Sequence, residues 1–219
     1  MGTLRGVSGF ERSGNPETTV HIGVLALQGD FERHLVMLNS LGHLGVSAIA
    51  VKTPAQIELC DGVIIPGGES TTVGKLMVRY GVDEAIRRRA AEGMAVFGTC
   101  MGMIVLAKEI EGSDQFRLGL MDMTVRRNAF GRQVDSFEAD LDIASIGEPP
   151  IRAVFIRAPF ITDLRGSAKA IATLDTGEVV MVRQGNLLAA AFHPELTDDT
   201  RVHEYFVSMA TTGHVASRK

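Results

Sequence analysis

The sequence predicts an α/β fold: a doubly wound, mixed and mostly parallel sheet with helices on both faces. Three observations carry that expectation. Short, apolar, β-branched runs alternate with segments of helical periodicity over roughly the first half of the chain, the rhythm of βαβ units with parallel strands. Two such runs end in glycine turns, Pro66-Gly67-Gly68 and Gly98-Thr99-Cys100-Met101-Gly102, that lead into helices; open α/β sheets place their sites at such strand ends. After about Leu118 the segments shorten and read as further strands, which makes the sheet mixed.

The elements follow in order. Val20 to Leu27 reads as the first strand, and Asp30 to Leu41 as a helix with apolar residues at helical spacing. Val46 to Val51 and Val63 to Ile65 suit buried parallel strands. Ser70 to Tyr80 and Asp83 to Glu92 read as helices, Met94 to Phe97 as the next buried strand, and Cys100 as the opening of another helix. The strand-like segments beyond are Asp122 to Arg126, Ala153 to Ile156, Ala168 to Leu174, Glu178 to Arg183 and Leu187 to Phe192, followed by a helix over Asp198 to Met209.

This organisation predicts one domain over residues 20–212, with a short tail at 213–219. Residues 1–19 hold glycines, serines and charges without an apolar core, so they read as a flexible extension and not as a secretory signal.

Composition narrows the function classes. The 219 residues are 45% hydrophobic and 22% charged with a formal net charge of −4, which gives no hint of a nucleic-acid surface. Arg87-Arg88-Arg89 fits a solvated helix face. No apolar run approaches the ~20 residues needed to cross a bilayer. Two cysteines, Cys60 and Cys100, lie in contexts that predict different burial; a disulfide framework is not expected, and the chain reads as cytoplasmic.

Cys100 is the most informative residue. A side chain on a sharp strand-to-helix turn is exposed above the sheet at a helix N-terminus, where unpaired N–H groups and the helix dipole favour a thiolate. A cysteine nucleophile needs a base and a group to orient it, and His193-Pro194-Glu195 offers both. Proline disfavours helix at the preceding residue, so an extended His193 would share one side of the chain with Glu195. The other histidines, His21, His34, His43, His203 and His214, have no comparable context and read as structural or exposed.

The turn Pro66-Gly67-Gly68-Glu69-Ser70 could bind an anion, but it lacks the lysine and spacing of a P-loop. Beside a cysteine nucleophile it is better read as an oxyanion hole, with the Gly68 and Met101 N–H groups as donors. No metal and no cofactor are implied.

The elbow Gly98 to Gly102 together with His193-Pro194-Glu195 resembles the class I glutamine amidotransferases. Leu27-Gln28-Gly29-Asp30, Pro66 through Thr72, Arg127 through Glu138, Phe155 through Pro159 and Phe192 through Leu196 resemble, more narrowly, the glutaminase subunits of pyridoxal 5′-phosphate synthases. The resemblance implies that Cys100 attacks the side-chain amide of L-glutamine, that His193 moves protons and that Glu195 orients His193. It implies glutamine contacts at Gly68, Glu69, Ser70, Arg127, Ile156 and Arg157, and ammonia transfer to a separate TIM-barrel synthase subunit. Taken alone, Arg127 and Arg157 could equally be surface ion-pair partners. Met101 departs from the family, which usually has alanine beside the nucleophile.

Gln28 would lie close to the Gly67-Gly68 turn if the first and third strands are neighbours, and is a candidate for sensing the partner through a side-chain hydrogen bond. Three alternatives remain at this level: another glutaminase, such as that of imidazole glycerol phosphate synthase; a non-catalytic subunit of the same fold; and a cysteine hydrolase or redox protein. The Arg127 to Glu138 motif argues against the first, the intact Cys100, His193 and Glu195 against the second, and the glutamine-contact residues against the third.

Overall fold

The computed structural model describes residues 19–127 and 136–217, with side chains through Thr212. The extension expected over 1–19 thus lies outside the described residues apart from Thr19, as do residues 128–135 of the central motif.

The first half alternates as expected: β1 (Val20–Leu25), α1 (Phe31–Ser40), β2 (Val46–Val51), α2 (Pro54–Ile57), β3 (Gly62–Ile65), α3 (Ser70–Tyr80), α4 (Val82–Ala91), β4 (Ala95–Thr99) and α5 (Met101–Leu106). The second half holds β5 (Ala107–Ile110), β6 (Met121–Arg126), β7 (Ser136–Leu141), β8 (Ile151–Ile156), β9 (Phe160–Leu164), β10 (Lys169–Thr173), β11 (Val179–Gln184), β12 (Leu187–Ala190) and α6 (Arg201–Ser217). The last helix continues into the stretch read as a tail.

One sheet has the order β2-β1-β3-β4-β12-β11-β9-β6-β5, with β10 paired to β11. The pairs β1–β2, β1–β3, β3–β4 and β4–β12 are parallel, whereas β11 runs antiparallel to β12, β9 and β10. β7 and β8 form a separate antiparallel ribbon. β2 and β3 are added on opposite sides of β1, so the carboxyl ends of β1 and β3 flank the crevice that this topology reserves for a site, with β4 beside them.

Helices cover both faces. Successive residues of a strand point to opposite sides, and β4 uses both. Phe97 packs on Phe206 of α6 with ring centroids 5.5 Å apart, while a Cβ at Gly98 would lie 2.5 Å from the Gly102 carbonyl group of α5. The core on the α6 side also takes in Ile22, Leu38 and Val202, all fully buried.

Several elements depart from the sequence expectation. β1 ends two residues early because the chain turns through Gly29, whose φ is 98°. β5 has no counterpart in the sequence expectation: its pattern, with Lys108 and Glu109 exposed between buried Ala107 and Ile110, gives no strand alternation. β7, in the two-stranded ribbon, and β9, between β11 and β6, each expose several residues, so they lack the apolar runs of the central parallel strands. Pro194–Leu196 form a single 3-10 turn instead of extended chain.

The arginine cluster is also corrected. Arg87 donates to the backbone carbonyls of Arg117 and Leu118, and Arg89 donates to the Cys60 carbonyl at 2.9 Å. These two fasten loops to α4, leaving Arg88 as the solvated member, paired with Glu58 and Glu92.

α5 and β3 approach so closely that a Cβ on Gly102 would run into the Ile65 carbonyl oxygen. Overpacking against fixed backbone costs about 1–3 kcal/mol. Gly102→Ala is therefore expected to lower the urea midpoint by that amount, while Gly42→Ala, with nothing within 4 Å of the new methyl, should stay within about 0.5 kcal/mol of the parent.

Candidate active site

β4 ends at Thr99, and the chain reverses at Cys100 with φ 48° and ψ −105° before α5 begins. Positive φ in a non-glycine residue costs on the order of 1–3 kcal/mol and persists only where the surroundings enforce it. Here the Cys100 N–H donates to the Ala190 carbonyl of β12 at 2.8 Å, and the glycines at 98 and 102 let α5 sit directly on the sheet. The Cys100 sulfur lies 3.8 Å from the Ile156 carbonyl oxygen at the end of β8.

His193 follows β12, the neighbour of β4, and its N–H donates to the Val154 carbonyl of β8 at 2.8 Å. Pro194 opens the 3-10 turn that swings Glu195 back beneath the imidazole. The His193 Nδ1–H donates to Glu195 Oε1 at 2.7 Å. The pairing expected from the His-Pro-Glu spacing is thus present, though a tight turn and not strand alternation produces it.

The electrostatics of His193 are set by opposing effects. Burial pulls its pKa down, but hydrogen bonds to Cys100 and Glu195, together with their charges, push it up to about 10. An imidazole that stays protonated at neutral pH beside a sulfur is the partner a nucleophilic cysteine requires. Cys60 is a contrast: it is free like Cys100, and burial together with nearby Asp61 pushes its thiol up to about 12. The different burial expected of the two cysteines is not found, since both are buried; they differ instead in their polar partners.

The glycine turn after β3 closes over the pair. A Cβ on Gly67 would stand 2.6 Å from His193 Cε1 and 3.6 Å from the Cys100 Cβ. Gly68 has φ 155°, and a Cβ there would meet Gln28 Oε1 at 2.7 Å. Because β1 and β3 are neighbours, Gln28 reaches the turn, and its Oε1 accepts the Glu69 N–H at 2.9 Å.

Glu69 is the N-cap of α3, accepting from the Thr72 N–H at 2.7 Å and the Thr71 N–H at 3.2 Å. These donors hold its carboxyl below the usual range. The Arg127 guanidinium stands 3.9 Å from the same carboxylate and donates to Gln115 Oε1 at 2.6 Å. The Gln115 amide nitrogen in turn donates to the Ser70 hydroxyl at 3.0 Å. Ile156 and Arg157 lie at the end of β8, and Arg157 has φ 44°. Met101 joins the buried core.

Sequence reasoning missed three polar residues here. Gln115 lies in a loop with no surrounding pattern. His34 and His203 are fully buried, His34 beside Glu195 and His203 beside His34, a link to the carboxylate that the reading of both as structural or exposed did not contain. A signal existed: His34 shares a helical stripe with Met37, Leu38 and Leu41, and His203 with Phe206, Val207 and Ala210, all buried. Among the described residues, no group of three or more His, Cys, Asp or Glu converges to hold a metal ion, and no helix is long and apolar enough to cross a membrane.

Comparison with known proteins bears on this geometry. The model of the SNO glutamine amidotransferase family matches residues 24–212. The chain is 57% identical over 190 residues to the "Pyridoxal 5'-phosphate synthase subunit PdxT" of Moorella thermoacetica, covering 87% of this chain and 99% of that protein. It is 53% identical over 192 residues to the protein of the same name from Carboxydothermus hydrogenoformans, covering 88% and 98%. A solved structure described as "Crystal structure of glutamine amidotransferase" superposes with a TM-score of 0.80 at 48% identity, covering 87% of this chain and 98% of that one. "Structure of PurLQS from Thermotoga maritima" matches with a TM-score of 0.63 at 14% identity over 87% and 98%, a likeness of fold alone.

The pH behaviour of His193 is testable. Its native pKa lies above the ordinary 6.5, so the stability it contributes is complete below about 6.5 and is lost as pH rises towards about 10. In Glu195→Gln one of the two supporting charges disappears while burial remains. The imidazole midpoint, followed by NMR, should fall well below the parent value, and the alkaline loss of stability should shift to lower pH.

Proposed function

The chain belongs to the SNO glutamine amidotransferase family, and from that premise we propose which residues perform its chemistry. It is a glutaminase that hydrolyses L-glutamine to L-glutamate and ammonia, and it works with a synthase subunit that uses the ammonia to make pyridoxal 5′-phosphate. The observation that carries the residue assignment is the linked Cys100, His193 and Glu195, with the histidine held protonated between its two partners.

The Cys100 sulfur attacks the carboxamide carbon of glutamine, and the carbonyl oxygen becomes an oxyanion. The Gly68 and Met101 N–H groups receive that charge: the first stands on the turn over the sulfur, the second at the start of α5, whose first N–H groups have no intrahelical acceptor. His193 gives its proton to the departing nitrogen, and ammonia leaves with formation of a γ-glutamyl thioester. The neutral imidazole then takes a proton from water as that water attacks the thioester carbon. Glutamate leaves, and the sulfur and imidazolium are regenerated. Glu195 orients the ring and supports its positive charge throughout.

Glutamine's charged end is assigned to the opposite side of the crevice. Arg127 suits the α-carboxylate through charge-assisted hydrogen bonds, and Glu69 suits the α-ammonium. Gly68, Ser70, Ile156 and Arg157 complete the substrate contacts, and Gln115 holds Arg127 against Ser70. The family match over 24–212 supports one glutaminase domain over 20–212, with residues 1–19 outside it, and α6 runs on past that boundary to Ser217. Two free cysteines and the absence of a membrane-crossing helix among the described residues fit a cytoplasmic enzyme.

Gln28 is assigned the gating role. Glycine peptides reorient at little steric cost, so the Gly67-Gly68 turn can exchange between orientations. Gln28 holds the next N–H, that of Glu69, and can bias that exchange when the synthase subunit docks.

Glutamate release with the synthase subunit present tests the reading. Cys100→Ala should abolish it without loss of fold, and retained turnover would remove Cys100 from the mechanism. Arg127→Ala should raise KM about tenfold or more with a smaller change in kcat, as expected for a lost charge-assisted substrate contact. Titrating the synthase subunit into the parent should raise kcat, and Gln28→Ala should flatten that response.

A further inference from the structure

Glu195 is 3% exposed, and its two oxygens have different surroundings. Oε1 takes the His193 N–H, whereas Oε2 accepts no well-directed hydrogen bond and faces His34 Nε2 at 3.3 Å. A buried carboxylate oxygen without a donor is costly. His34 comes from α1, on the far side of the sheet from α5, and its Nε2 also stands 3.2 Å from the Thr99 hydroxyl. Its other nitrogen, Nδ1, lies 2.9 Å from Nε2 of His203 on α6.

Both rings are neutral at pH 7. Burial, with His203 and His193 nearby, holds His34 well below the ordinary histidine value, and burial alone brings His203 down to about 4. Each neutral ring carries one N–H, so the 2.9 Å contact between them allows two proton arrangements.

In the first, His203 Nε2–H donates to His34 Nδ1. The proton of His34 is then on Nε2, directed between Thr99 Oγ1 and Glu195 Oε2. The only remainder is a lone pair on His203 Nδ1, an atom that has no hydrogen-bond partner. In the second, His34 Nδ1–H donates to His203 Nε2. A lone pair on His34 Nε2 would then face a carboxylate oxygen at 3.3 Å, and His203 would bury an N–H without an acceptor. The second arrangement adds lone-pair repulsion to an unpaired donor, so the first prevails.

We propose that His34, with its tautomer fixed by His203, is a positioning residue that presents an N–H to the second oxygen of Glu195 and so holds that carboxylate in line with His193. The proposal rests on the assignment of Cys100, His193 and Glu195 above. With a donor at each oxygen, the carboxylate resists rotation as His193 gains and loses its proton. This support comes from α1 and α6, on the face of the sheet opposite α5, and touches neither glutamine nor the sulfur.

The experiment compares His34→Leu, His34→Gln and His203→Leu in the complex with the synthase subunit. His34→Leu removes the donor, whereas His34→Gln can return an N–H to the Nε2 position. The expected result is a fall in kcat of about tenfold for His34→Leu, the scale of one hydrogen bond to a charged group. KM should stay within about twofold, and His34→Gln should recover most of the loss. His203→Leu frees the His34 tautomer and should fall between them. Nitrogen NMR of the full parent chain should find the His34 proton on Nε2 and a bare Nδ1.

Parent kcat in a folded His34→Leu, or a proton on His34 Nδ1, overturns the proposal. The NMR result decides the matter even if His34→Leu fails to fold. A Cys100→Ala control separates the two levels: if it still releases glutamate, the triad assignment fails, whereas an inactive control beside a fully active His34→Leu defeats the positioning role alone.

Discussion

The backbone at Cys100 is the constraint around which the site is arranged. A φ of 48° at a residue with a Cβ is unfavourable in isolation, and the fold enforces it from both sides. Pairing of β4 with β3 and β12 fixes the chain up to Thr99. The contact of Gly102 with Ile65 then fixes the direction in which α5 departs. Side chains at 98 or 102 would push the helix off the sheet and relax the turn. Cys100 is thereby set at the carboxyl ends of β3, β4 and β12, where the groups it needs converge.

The charges are arranged by depth. Buried Glu195 and partly buried His193 form a hydrogen-bonded pair, which satisfies each where either alone would be costly. Beneath them lie two neutral histidines, kept uncharged by the same burial that would penalise an isolated ion. Towards solvent stand Glu69 and Arg127, half exposed and 3.9 Å apart, suited to a zwitterionic substrate that water can also reach. Cys60 and Cys100 illustrate the same point. Both sulfurs are buried, and what separates them is an imidazole beside one and the Gln56 carbonyl with nearby Asp61 beside the other.

Much of the site was legible because its signals are local. Gly98 to Gly102 and His193 to Glu195 are short motifs whose chemistry follows from residue type and spacing. The α/β rhythm rests on apolar periodicity, and the placement of Gln28 beside the glycine turn followed from the adjacency of two strands. β5 and β7 were less legible because marginal strands need bury little. Arg87 and Arg89 look like solvated charges in sequence because their acceptors are backbone carbonyls of loops, which no side-chain pattern records.

The sequence by itself determined the parallel core, the strand-to-helix turn at Cys100 and the pairing of His193 with Glu195, the three residues proposed to act together, because each of these features rests on a local pattern. Only the tertiary structure decided what lies behind that carboxylate. His34 and His203 are 169 residues apart, on helices that meet because α1 and α6 pack on the same face of the sheet. Their tautomers, and the donor they offer to Glu195, depend on distances of about 3 Å that no local propensity encodes. Hydrogen bonding in a buried cluster is a property of the assembled core, and it exists only once the helices have closed over it.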